Sequence, residues 1–452
     1  MKELPATNPR SWTFQANMHY MQGTPTNSLF NQCHHGDRLF LAWHRGFLYY
    51  FERILRSMSG DPSLMLPYWD WTNFKALPEP FRSPAESTNP LFQDGRAIND
   101  GSELSEAIVL DALRTALDQP GFDDSDIGFS SSLEGSPHGT VHTAIGGIMG
   151  SVPTAANDPI FWLHHCNIDR MWDYWLNLGN GRVNLSDPAY LDTTFSYANE
   201  EGATVTHRIR DILDSRGLGY RYDSVPNPPS SKLTLAMVTA AGATLAPVTA
   251  MHAMEEPKVA AVGANEPSAP KPLGLKTETL KVTPAPVRAR VRAQAVRSID
   301  GIPVAAAPIA PPRTLVTVND IEFDKVPEIS YGIYLNVPEG TEPSDAMVDH
   351  LVGMINFFGR DTVHPAGGHG VMAQARPSTK RFSQSFDATR VIGRLRAKGL
   401  YKDGEPARIS LRPIVSKPPA DPNAAEAAKR RVEVSVKEAN VRYGSVKIDP
   451  NG

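Results

Sequence analysis

Apolar residues in the first half of the chain recur three and four positions apart. In "GDRLFLAWHRGFLYYFERILRSM", residues 36–58, they form one stripe of a helix with charged residues opposite, and Asp37 stands where a start signal belongs. "DPIFWLHHCNIDRMWDYW", 158–175, predicts a second long helix, because Asp158 can cap free N–H groups and Pro159 loses none in the first turn. "SPHGTVHTAIGG", 136–147, predicts a further helix opened by Ser136 and Pro137. The period changes after residue 312. "RTLVTVNDIEF", "SYGIYLNV", "GMINFFG", "ARISLRPIV" and "RRVEVSVKEANVRYG" are alternating or β-branched runs divided by turn residues, the pattern of a β-sandwich.

These patterns predict a mainly α helical-bundle domain over 1–228 and a C-terminal all-β sandwich over 313–452. Residues 229–312 between them shift to Ala, Pro, Val and Thr, too few large apolar groups to fold alone, and read as a linker or a strap. The uncharged run 233–254 is long enough to span a bilayer but is interrupted by Gly242 and Pro247, so it reads as part of that linker.

With 452 residues and a net charge of −4, the chain has room for two domains and no basic footprint for nucleic acid, which directs the search to small molecules. Two cysteines, Cys33 and Cys166, exclude a disulfide framework and a thiolate zinc cluster. Histidine is the informative residue. Eight of the thirteen precede residue 166: His19, His34, His35, His44, His138, His142, His164 and His165. His138 and His142 share a helix face; His44 lies on the 37–58 helix, and His35 falls out of phase with it and belongs to the preceding loop. With His19 upstream and the pair His164–His165 in an apolar helix, these make two three-histidine sets, although a lone histidine in such a helix is more often a hydrogen-bonded core residue. All-imidazole sites suit copper better than calcium or magnesium, with zinc and iron poorer fits.

"CHHGDRLFLAWHRGFLYYFE" and "HGTVHTAIGGIMG…NDPIFWLHHCNIDRMWDYW" resemble the copper A and copper B segments of the type 3 (binuclear) copper family of tyrosinases, catechol oxidases and haemocyanins. The resemblance spans about residues 5–228. It implies two copper ions, with His19, His35 and His44 on copper A and His138, His142 and His165 on copper B, and His164 as a neighbour behind the ligands. His34 is left as a bystander. "PYWDW" at 67–71 and the Tyr-x-Tyr pair Tyr220 and Tyr222 are similar to polyphenol oxidases in particular. Cys33, two residues before His35, stands where some members carry a thioether to a copper A histidine, and Cys166 is read as packing.

The resemblance further implies oxidation of o-diphenols to o-quinones with reduction of O2 to water, the substrates being a small phenol and O2. Glu134 resembles the family glutamate that holds an active-site water and takes a phenolic proton. Many monophenol-hydroxylating members have asparagine after the first copper B histidine; Gly139 here favours catechol oxidase activity. Tyrosinase and o-aminophenol oxidase activities are the alternatives, and a haemocyanin-like oxygen carrier is the alternative outside enzymes. Met149 and Val152 fall at positions of the pocket mouth, and Phe161 at that of an aromatic near the site. The C-terminal half resembles more weakly the β-domain that covers the copper site in latent polyphenol oxidases. His350, His364 and His369 within it are expected to hold no metal. The family begins with a helix upstream of "MKELPATNPRSW", so Met1 is expected to be internal, with export from the cell a corollary if a signal precedes it. Compartment and oligomeric state are left open.

Overall fold

The computed structural model describes residues 1–123, 128–224, 270–285, 298–299, 302–303, 313–338, 349–359 and 381–450. Helix α1 (Trp12–His19) opens where Ser11 Oγ accepts from the Phe14 N–H at 3.0 Å. The 37–58 stripe becomes α2 (Phe40–Ser59), closed by Gly60 in the left-handed conformation. Asp37 does not cap it. Its Oδ1 accepts from the Leu39 N–H at 2.7 Å, the nearer donor, so it closes the turn before the helix and leaves residues 33–36 as loop.

Short helices α3 (Ala112–Leu117), α4 (Phe129–Leu133), α5 (Gly139–Ile145) and α6 (Val152–Ala155) lead to the long α7 (Pro159–Asn177). Ser136 stands extended between α4 and α5, which breaks the two helices apart at the position the sequence marks. Asp158 caps α7 as expected, its Oδ1 accepting from Ile160 N at 3.0 Å. Helix α8 (Pro188–Leu191), the antiparallel hairpin β1 (Thr194–Ala198) and β2 (Thr204–Arg208), and α9 (Ile209–Ile212) complete this unit.

One buried charge network ties α2 to α7. Arg45, fully buried, donates to Asp169 Oδ1 at 2.7 Å and Asp173 Oδ1 at 2.8 Å and lies 3.8 Å from the Trp172 ring. The hydroxyls of Tyr220 and Tyr222 both donate to Asp169 Oδ2 at 2.6 Å. Asp169 thus satisfies a guanidinium and two phenols at once. Asp169→Ala is expected to leave Arg45 charged without its main partner and to cost roughly 3–5 kcal/mol of stability; a denaturant midpoint unchanged from the parent would contradict this.

The C-terminal unit contains two antiparallel sheets. One has the order β10–β7–β12–β3, with β13 also on β7: β3 (Lys271–Pro272), β7 (Leu315–Glu322), β10 (Arg381–Asp387), β12 (Arg442–Tyr443) and β13 (Ser445–Asp449). The other has the order β4–β11–β8–β9: β4 (Glu278–Val282), β8 (Ser330–Leu335), β9 (Leu351–Ile355) and β11 (Ala407–Ile414). The pair β5 (Ser298–Ile299) and β6 (Ile302–Pro303) stands apart. Strands β3 and β4 fall inside the segment expected as linker or strap, and they edge both sheets. The uncharged run 233–254 lies outside the described residues.

Two helices accompany the sheets, α10 (Thr389–Ala397) and α11 (Pro422–Ala439). The alternating valines of "RRVEVSVKEA" belong to α11 and not to a strand. Ala428, Val432, Ser435, Val436 and Ala439 turn inward at helical spacing while Val434 is exposed, and Asp421 with Pro422 supplies the start.

Strand β8 is buried along its whole length, which explains why "SYGIYL" is a continuous apolar run. Tyr331, Ile333 and Leu335 enter the core between the sheets, and Tyr334 packs into the core of the helical unit. On β9, Val352 and Ile355 face the first core, Leu351 and Met354 the second. Around this seam acids of the helical unit meet bases of the β unit: Asp118 with Arg394 at 2.9 Å, Asp100 with Arg431 at 3.2 Å and Glu103 with Lys417 at 3.1 Å. Glu103 and Lys417 also exchange backbone hydrogen bonds at 2.8 and 2.7 Å. No helix among the described residues is long and apolar enough to cross a membrane.

Candidate metal centre

Four helices and one loop bring seven histidines together. His19 ends α1, His35 lies in the loop before α2, His44 is in the first turns of α2, His138 and His142 flank the start of α5, and His164 and His165 sit mid-α7. Ring centroids of His19, His35 and His44 lie 5.2–5.6 Å apart. Those of His138, His142 and His165 lie 4.7–5.5 Å apart. The two sets face each other, with His44 stacked on His165 at 4.5 Å.

Backbone carbonyls orient the rings. The Nδ1 of His44 is 2.8 Å from Phe40 O, that of His138 3.0 Å from Glu134 O and that of His142 2.8 Å from Met149 O. A carbonyl only accepts, so each Nδ1 carries the proton and each Nε2 keeps its lone pair. The Nε2 atoms of His44 and His138 are buried without a hydrogen-bond partner, and His142 Nε2 faces His165 Nε2 at 3.3 Å. Burial pushes His44 down to about 3 and holds His138, His142 and His165 well below the ordinary histidine range. Neutral imidazoles aimed at a common space, with nothing to bond there, fit metal ions.

His164 also approaches: one ligand atom each from His138, His142 and His164 lie within 4.8 Å of one another. Its tautomer distinguishes it from His165. Trp71 Nε1, which can only donate, is 3.2 Å from His164 Nδ1, so a neutral His164 carries its proton on Nε2 and has no lone pair there for a metal.

Cys33 is partly buried, with one ligand atom each of His19, Cys33 and His35 within 4.8 Å of one another. Burial raises its thiol. Cys166 is buried in the helical core. His34 turns away to Asp37, Nδ1 to Oδ2 2.9 Å. Glu134 Oε1 accepts from the Gly36 N–H at 2.5 Å, which fastens the His35 loop to the segment that carries His138. Met149 is fully buried and holds His142 through its carbonyl; Val152 is buried at the first turn of α6. Phe161 lies 4.1 Å from His165 and 5.0 Å from His19, so it walls both sets. His350 is bonded to Leu335 O at 2.7 Å, whereas His364 and His369 lie outside the described residues.

Two aromatic rings escape the sequence reading. Phe40 lies 4.7 Å from both His44 and His138. Phe358, from the turn after β9, stacks on His142 at 3.9 Å and lies 5.5 Å from His138 and 5.8 Å from His35. The adjacent pair Phe357–Phe358 was a visible signal, since neighbours in an extended segment face opposite ways. Phe357 enters the sheet core and Phe358 the histidines.

The family model "Common central domain of tyrosinase" matches residues 9–109 and 87–178, and "Polyphenol oxidase middle domain" matches 184–232. Residues 9–232 belong to the tyrosinase and polyphenol oxidase family. A chloroplastic polyphenol oxidase of Malus domestica is 29% identical over 399 residues, 76% of this chain and 63% of that protein. A tyrosinase of Hahella is 33% identical over 284 residues, 52% of this chain and 60% of that protein. The chain therefore spans about half to three-fifths of the length of such polyphenol oxidase relatives. The architecture matches latent apple tyrosinase with a TM-score of 0.59 at 24% identity, covering 99% of this chain and 91% of that one. Latent aurone synthase gives 0.59 at 18% identity, covering 99% and 84%. The polyphenol oxidase fold, a helical copper domain with a β-sheet region, is thus the fold of this chain, and the binuclear copper of the family is the cofactor its imidazole sets accommodate.

Proposed function

We propose that the chain is a copper-dependent polyphenol oxidase that converts two o-diphenols and one O2 to two o-quinones and two waters. The convergence of six imidazoles, five of them buried, from four helices and the loop before α2 carries this reading. His19, His35 and His44 would hold one copper and His138, His142 and His165 the other; the pair supplies the four-electron reduction of O2 when bound. The protein's own part is to keep His44, His138, His142 and His165 neutral by burial, to aim the first three through the Phe40, Glu134 and Met149 carbonyls, and to exclude bulk water with Phe40 and Phe161. Glu134 is assigned the water that accepts phenolic protons, and its bond to Gly36 keeps the two histidine segments in register.

Gly139 places no side-chain amide beside Glu134, which supports diphenol over monophenol oxidation. Monophenol hydroxylation is the second reading, favoured by the 33% identity to a protein named tyrosinase. Oxygen uptake by copper-loaded chain, given a catechol and then the matched monophenol, separates them. Catechol alone supports the proposal, and both substrates support the second reading. Neither, despite two bound coppers, transfers support to an oxygen carrier.

The β unit is assigned the part of a cover, because Phe358 stacks on His142 where a phenol ring would have to approach. Phe358→Ala in the intact chain is expected to raise catechol oxidation about tenfold without proteolysis. A rate equal to that of the parent chain would remove Phe358 from the cover.

A further inference from the structure

Gly139 is a glycine that its backbone does not require. It begins α5 at φ −65° and ψ −31°, ordinary helical values that any L residue adopts, and glycine is an unfavourable helix residue. The requirement comes from the β unit. A Cβ at 139 would lie 2.4 Å from Asn356 Oδ1, 2.5 Å from its Nδ2 and 2.6 Å from its Cγ, far inside van der Waals contact.

Asn356 has little freedom to withdraw. Its Oδ1 accepts from the Phe358 N–H at 2.9 Å, and its own N–H donates to Gln384 Oε1 at 3.1 Å. The first bond shapes the turn that carries Phe358 onto His142. Moving the carboxamide out of the notch therefore unmakes the turn that seats the ring. Gly135, four residues earlier, is different: a Cβ there meets only Gln384 Nε2 at 4.0 Å, an ordinary contact.

We propose that Gly139 is the notch on which closure depends: its bare Cα admits the Asn356 carboxamide, and any side chain at 139 unseats the 356–358 turn and uncovers the histidine centre. In this chain a side chain beside His138 and a closed cover exclude each other, so one position sets both the lining of the pocket and access to it. The proposal rests on the phenol oxidase reading only for its rate measurement.

Hydrogen exchange of the 351–358 amides in the intact chain tests it without catalysis. Gly139→Ala is expected to speed exchange there about tenfold, and Gly135→Ala to leave it unchanged. Asn356→Ala removes the colliding atoms, so adding Gly139→Ala in that background should produce no further increase. Asn356→Gln, which presses the notch from the other side, should open the turn as Gly139→Ala does and supplies the test if the latter fails to fold. Unchanged exchange in Gly139→Ala or Asn356→Gln, or an undiminished effect of Gly139→Ala in the Asn356→Ala background, overturns the proposal. Faster exchange without quinone formation upholds the notch and counts against the phenol oxidase reading.

Discussion

His165→Ala is expected to leave the chain with one copper equivalent instead of two and to lower quinone formation by about three orders of magnitude. His164→Ala should keep both equivalents and bind the second one roughly 10–100-fold more weakly. The two residues are neighbours on α7, both fully buried, and both within reach of His138 and His142. What separates them is the Trp71 indole, whose proton occupies His164 Nδ1 and so places that ring's own proton on Nε2. Copper content by atomic absorption decides the matter. Loss of an equivalent in His164→Ala with retention in His165→Ala would reverse the assignment.

The second large effect concerns acid. In the metal-free chain His44, His138, His142, His164 and His165 resist protonation because burial removes the charged form from water, whereas the unfolded chain takes up protons below 6.5. The unfolded state then binds more protons than the native state, so stability falls as pH drops, from 6.5 down to about 3 for His44. Each group contributes about 1.4 kcal/mol per pH unit, and together they remove on the order of 5 kcal/mol by about pH 5.5. The denaturation midpoint of chelator-treated chain should fall steeply below neutrality. Copper binds the neutral rings and should move the fall to lower pH. Identical midpoints at about pH 7 and pH 5.5 without metal would refute this account.

Local signals made the helical half readable. Asp158–Pro159 marks the start of α7, and the His-x-x-x-His spacing at 138 and 142 fixes one face of α5, both independent of the rest of the chain. The long-range terms were hidden. Asp37 has the sequence signature of a helix cap, but its carboxylate closes the nearer turn instead. The valines at 432, 434 and 436 alternate like a strand, yet the residues around them bury at helical spacing, which only the docking of α11 on the sheets settles. Distinguishing His164 from His165 on physical grounds needed Trp71, ninety-three positions away. Phe358 and Asn356 were legible as strand-end residues, but their targets, His142 and Gly139, lie more than two hundred positions earlier in the chain.

The two-sided burial of β8 and β9 has a consequence for what happens after a cut in the segment joining the halves. Tyr334, Leu351, Met354, Phe358 and Ile414 belong to the core of the helical unit although the β unit supplies them. Severing the chain leaves this seam intact, so the pieces stay associated until something competes for it. Once parted, each fragment carries a raw apolar face, with Asp118, Asp100 and Glu103 on one separated from their partners Arg394, Arg431 and Lys417 on the other. Such a cut therefore yields two adhesive bodies that rejoin each other or cluster with copies of themselves, and dilution or detergent governs how long the histidine centre stays uncovered.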